Sequence, residues 1–159
     1  MKELFKNQIV KNILSALAVA FFGFILLNLI FLFDFIYQSA IRGIAILFIP
    51  LGSETNMYWF PSLHGSFVVI IGIISWFVFR TKLRVLYKAI YMTVPVAVVL
   101  ATMGIILYRW QVISYSIEAL LCIGTLYYFY RTKQPWIYYY TLILVSLTLA
   151  IYTLTGGEI

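Results

Sequence analysis

Apolar residues in this chain come in long continuous runs, not in the spaced stripes of an amphipathic helix. The runs fall at about 12–33, 63–80, 86–107, 116–132 and 136–155, each close to the length a helix needs to cross a bilayer. A membrane β-barrel would carry shorter segments of alternating polar and apolar positions, and the sequence has none. The pattern therefore predicts an all-α, polytopic helical membrane protein of about five transmembrane helices, with residues 1–159 forming a single bundle. Pro135 suits the first turn of the last helix, where a missing N–H costs nothing. Pro95 falls inside the third span, where it predicts a kink.

The segment FIYQSAIRGIAILFIPLG, residues 35–52, is apolar but short, interrupted by Arg42 and closed by Pro50 and Gly52. Charge placement bears on whether it crosses. Lys2, Lys6 and Lys11 precede the first span, Arg80, Lys82, Arg84 and Lys88 lie between the second and third, and Arg131 and Lys133 precede the last. These basic residues share one side only if 35–52 does not cross; six full spans would scatter them over both. The segment accordingly reads as a short interfacial or re-entrant helix on the outer face. The positive-inside rule makes the basic side cytoplasmic, placing the N-terminus inside, the C-terminus outside and the protein in the plasma membrane.

Composition refines this picture at three points. The chain is 64% hydrophobic and only 10% charged, so the net charge of +6 sits in the loops and sets topology; no nucleic-acid partner is expected. The basic start and Ala18-Val19-Ala20 resemble a signal peptide, but the apolar run continues to Phe33 and predicts an uncleaved span. A single cysteine, Cys122, excludes an intrachain disulfide.

The topology leaves Arg42, Arg109 and the only histidine, His64, on the outer face, with Asp34, Glu54, Glu118 and Glu158. In PSLHGS, Ser62 reads as an N-cap, which puts His64 in the first helical turn, where free backbone N–H groups and the macrodipole attract phosphate. Arg109, against the charge rule, is a candidate phosphate clamp, and Arg42 a second. If Ser116 caps the fourth helix, Glu118 enters its first turn at the same outer level as His64 and Arg109. The bland alternatives are an interfacial histidine, snorkelling arginines and a capping carboxylate. One histidine, one buried cysteine and dispersed carboxylates make no metal set, and no cofactor motif is present.

FPSLHGSF, followed by a two-span hairpin and an arginine at its outer end, resembles the type-2 phosphatidic acid phosphatase family of lipid phosphate phosphatases over about residues 60 to 130. The resemblance implies that His64 protonates the leaving group and that Arg109 binds phosphate. Tyr115 stands six after Arg109, where the family has its nucleophilic histidine, and a one-residue gap puts Ser114 there instead. Glu118 lies one residue from the family's aspartate position, held here by Ala119. A weaker similarity, in layout alone, links the chain to the exosortase and archaeosortase membrane proteins. The implied activity is that of a lipid- or prenyl-phosphate phosphatase or phosphotransferase, with His64 and Glu118 in acid–base roles and Arg109, Arg42, Ser62 and Tyr115 around the substrate. A phosphohistidine mechanism needs two histidines, so the alternative is a lipid-phosphate-binding or complex-forming membrane subunit without turnover. Expected partners are membrane lipids, a phosphorylated lipid or prenyl carrier, and a protein partner or second copy.

Overall fold

The computed structural model describes residues 2–48, 60–107 and 109–155, with side chains over 7–44, 64–107, 109–153 and at 155. These residues form five helices: α1 (Lys2–Phe48), α2 (Phe60–Arg80), α3 (Val85–Ile106), α4 (Gln111–Arg131) and α5 (Trp136–Leu154). Four of them are long and apolar enough to cross a membrane, and the His64–Arg80 stretch of α2 is apolar as well. The protein is an all-α polytopic membrane protein, as its hydrophobic runs predict.

The helix α3 is the centre of the bundle and packs against the other four. Its buried positions are mostly small or β-branched, including Ala89, Thr93, Val94, Ala97, Val98, Ala101 and Thr102. Such residues let neighbouring backbones approach closely, which is how helices associate where lipid tails remove the hydrophobic driving force. Two apolar clusters follow. One joins Val19 of α1, Ala89 and Met92 of α3, Phe129 of α4 and Ile137, Tyr138 and Leu142 of α5. The other joins Phe67 and Ile71 of α2 to Val94 and Val98 of α3, with Leu26 and Ile30 of α1 beside them. Most other large apolar side chains are exposed, as expected of a surface that lipid covers.

Successive helices run in opposite directions. Lys11 of α1 and Leu86 of α3 line one shallow cavity, and the Lys88 ammonium donates to the Phe79 carbonyl at 2.7 Å. Lys88 and Gln134 in turn line another cavity together. Lys11, Arg80, Lys82, Arg84, Lys88, Arg131 and Lys133 thus gather at one end of the bundle, and Arg109 lies in the α3–α4 turn at the other.

Three expectations are corrected. Residues 35–48 are not a separate interfacial or re-entrant helix; they continue α1 without a break. The region from 34 to 48 has no proline, and the Asp34 side chain, which could have competed for the backbone, is taken by Gln38 four residues on (2.9 Å) and by His64. A helix of 47 residues is about 70 Å long, more than twice the ~30 Å hydrocarbon core, so α1 extends well beyond its span. The proposed stops, Pro50 and Gly52, lie outside the described residues, as do Glu54, Trp59 and Glu158. Nor does Ser116 cap α4, which starts at Gln111; its hydroxyl donates to the Val112 carbonyl at 2.7 Å, the bond of a serine in a helix interior. In the same way Ser62 falls inside α2, which begins two residues earlier at Phe60, and is not its N-cap.

The C-terminus of α4 closes with the Gln134 N–H on the Phe129 carbonyl at 3.0 Å and the Lys133 N–H on the Tyr130 carbonyl at 3.2 Å. This doubly bonded stop needs a left-handed residue after the cap, and Lys133 supplies it at φ 51°. A non-glycine residue there costs about 1–2 kcal/mol, partly offset by the entropy glycine would lose. Lys133→Gly is therefore expected to stabilise by about 0.5–1 kcal/mol. Lys133→Val should lower the unfolding midpoint in detergent, and the reverse order of midpoints would contradict this strain.

Candidate functional site

Along α1, Asp34, Gln38 and Arg42 recur every four residues, which places them on one face of an otherwise apolar helix. That face meets α2 and α3. The His64 ring of α2 lies between them, with Nδ1 3.0 Å from Asp34 Oδ2 and Nε2 3.0 Å from Thr102 Oγ1 of α3. Three helices are thereby joined by one chain of polar atoms. Asp34 is 7% exposed, Thr102 6%, and the His64 side chain 12%.

The position follows from helix geometry. His64 is the fifth residue of α2 and Thr102 lies four before the end of α3, so the group sits about 6 Å inside the end opposite the basic residues. His64 is thus in the second turn of α2, past the free N–H groups of the first turn that were expected to hold an anion. Beside it, Tyr37 and Ser66 share a hydroxyl hydrogen bond of 2.9 Å, and the Tyr37 ring packs on Phe67 at 5.9 Å. These contacts fix the register of α1 against α2 at the level of the histidine.

Each ring nitrogen has a distinct partner. An ionised Asp34 can only accept, so Nδ1 carries the hydrogen and Nε2 of a neutral ring presents its lone pair. Thr102 has one hydroxyl hydrogen, which goes either to that lone pair or to the Val98 carbonyl, 2.5 Å away. Its hydroxyl therefore keeps a partner if Nε2 turns to another group. Nδ1 is the anchored end of the ring and Nε2 the exchangeable one, the arrangement in which a carboxylate orients a histidine for proton transfer. Asp34 Oδ2 takes two donors, His64 and Gln38, while Oδ1 is buried without a hydrogen-bond partner among the described residues. Burying a carboxylate this way is costly, which makes the site a functional candidate in a membrane helix.

The other residues expected in the site are placed as follows. Arg42 lies two turns beyond Asp34 on the same face of α1, about 12 Å further along, and is half-buried. Ser62 is in the first turn of α2, its side chain outside the described residues. Arg109 is exposed and, among the described residues, lines a shallow depression with Trp110, Gln111, Val112 and Ile113 and not with His64. Tyr115 is exposed. Glu118 accepts a 2.9 Å hydrogen bond from Ser114 of its own helix and, with α4 starting at Gln111, lies in the second or third turn, not the first. Since α4 packs on α3 and α5, no described contact brings Glu118 or Arg109 to His64.

Sequence reasoning missed Asp34, Gln38 and Thr102 as partners of the histidine. The four-residue spacing of Asp34, Gln38 and Arg42 is a signal that could have found the first two. Thr102 gave none, because threonines in apolar helices ordinarily bond their own backbone. Among the described residues no group of three or more potential metal ligands exists. Comparison of the chain with models of known protein families, with curated proteins and with solved structures finds no match.

Proposed function

We propose that the protein is a lipid- or prenyl-phosphate phosphatase or phosphotransferase-like membrane protein whose acid–base group is His64, working at the end of the bundle that the positive-inside rule assigns to the outer leaflet. The observation that carries this reading is the Asp34–His64–Thr102 chain, with one nitrogen anchored and the other exchangeable. Asp34 acts as the positioning residue. Arg42, on the face of α1 that carries Asp34, is the cation best aligned to take the phosphate, with Arg109 as the second candidate.

A single imidazole suffices for direct hydrolysis. Nε2 takes a proton from water as the water oxygen bonds to phosphorus. The same proton then passes to the lipid oxygen as its bond to phosphorus breaks, leaving an alcohol, inorganic phosphate and the original neutral ring. No phosphohistidine forms, which suits a chain with one histidine.

A second reading, binding of a lipid phosphate without turnover, draws on the fact that both ring nitrogens already have protein partners. Purified protein in nanodiscs, given lysophosphatidic acid or a prenyl diphosphate, separates the two. The first reading expects phosphate release that His64→Ala abolishes and Arg42→Ala weakens mainly through KM. Binding of these lipids without release, still sensitive to Arg42→Ala or Arg109→Ala, selects the second. Release or binding indifferent to all three substitutions sinks both.

A further inference from the structure

Of the residues of α4, only Ser114 and Phe129 are buried, and they lie near its two ends, about 22 Å apart. Between them the helix stands off α3, and a cavity of about 610 Å³ opens among α3, α4 and α5. Its wall on α3 includes Pro95, Val96 and Val99, and its wall on α4 includes Leu121, Cys122 and Thr125. The lining is chiefly apolar, and its volume is that of a small-molecule site. Along α3 it runs from Lys88 to Leu100, about 18 Å, close to the depth of one leaflet of a ~30 Å hydrocarbon core.

Among the described residues that line this cavity, Lys88 is the one charged side chain. Lys88 and Gln134 line the cavity at the basic end of the bundle, and Arg131, the last residue of α4, and Lys133, in the α4–α5 turn, lie within three residues of Gln134. The Lys88 ammonium uses one donor on the Phe79 carbonyl, and an ammonium has three. We infer that this cavity is a binding site for an anionic phospholipid of the leaflet at the basic end. One acyl chain lies between α3 and α4, and the phosphate sits at Lys88 with Gln134 beside it. The charge identifies the occupant, since a zwitterionic lipid would fill the apolar part equally but gain little from a purely basic rim. The headgroup end of the site lies at the end of the bundle opposite His64, and the proposal is independent of the chemistry proposed there.

The test is native mass spectrometry of the full chain released from mixed micelles with equimolar phosphatidylglycerol and phosphatidylcholine. The expected result is one retained lipid per chain, with phosphatidylglycerol in excess. Lys88→Gln should lower that excess about fivefold without removing the lipid, the loss expected for one basic residue at a membrane surface. Leu121→Trp, which narrows the cavity between α3 and α4, should lower retention of both lipids while the helical circular dichroism stays unchanged. Equal retention of the two lipids, or an excess indifferent to Lys88→Gln, would overturn the proposal and mark the cavity as generic lipid contact; Lys88→Gln decides the matter even if Leu121→Trp does not fold.

Discussion

Asp34→Ala is expected to destabilise the protein by roughly 3 kcal/mol, because removing one partner of a buried pair strands the other. Two donors lose their acceptor at once: His64 Nδ1 at 3.0 Å and Gln38 Nε2 at 2.9 Å. Both lie where α1 meets α2 and α3, and lipid on the far side cannot replace the lost bonds as water would. Asp34→Asn separates this structural role from the chemical one. The asparagine oxygen can still accept from Nδ1, and the Gln38 amide can turn to offer its own oxygen, so the fold should lose less than about 1 kcal/mol. The negative charge that orients His64 is gone, however. Phosphate release should fall at least 100-fold, in the range that positioned acid–base catalysis supplies. Unfolding in detergent and turnover in nanodiscs check the two halves. If Asp34→Asn were as unstable as Asp34→Ala, the carboxylate would be a structural clamp only. If turnover survived in Asp34→Asn, Asp34 would not position the histidine.

What could be read in the sequence divides along a physical line. Helix number and approximate limits were legible because hydrocarbon forces every backbone group to be satisfied within its own helix, and about twenty apolar residues are needed to do so. The C-terminal part of α1, from residue 35 on, was misread because charge parity constrains only which side a segment lies on. Whether it bends is decided locally, by whether Asp34 takes a backbone group or a side chain, and it takes His64 and Gln38. The histidine itself was found as an oddity of composition, and its placement near the end away from the basic residues followed from topology. Its partners were not found, since which residues face one another across helices depends on the rotation of each about its axis. A run that is apolar all round carries no stripe to fix that rotation. Glu118 illustrates the same limit. Its position in the half of α4 away from the basic residues was legible, but its carboxylate takes Ser114 of its own helix, and α4 packs on α3 and α5, while Asp34 and His64 belong to α1 and α2.

The rotation of α1 that brings Asp34 to His64 is set a little over three turns earlier, at Gly23. A Cβ built there would lie 2.6 Å from Thr93 Cγ2, a separation that real side chains do not tolerate. Thr93 cannot readily yield: it is 1% exposed, β-branched, and its hydroxyl donates to the Ile90 carbonyl at 2.7 Å. Gly23→Ala is therefore expected to cost about 1–3 kcal/mol, the range for overpacking a close-fitted interior, and Gly23→Leu to prevent α1 from seating at all. The conflict is with one methyl group, which gives the prediction its control. Thr93→Ser deletes that methyl and keeps the hydroxyl, so in the Gly23→Ala background it should restore more than half of the lost stability. Alone, Thr93→Ser should cost under about 1 kcal/mol, since it removes a single methyl. Such a cycle has a coupling energy of about 1 kcal/mol or more, as residues in direct contact give. Additive effects of the two substitutions, measured by unfolding in detergent, would mean that α1 and α3 do not touch at this point. The alignment that carries Asp34 to the histidine would then lose its anchor, and a Gly23→Ala protein with undiminished lipid-phosphate turnover would say the same from the side of function.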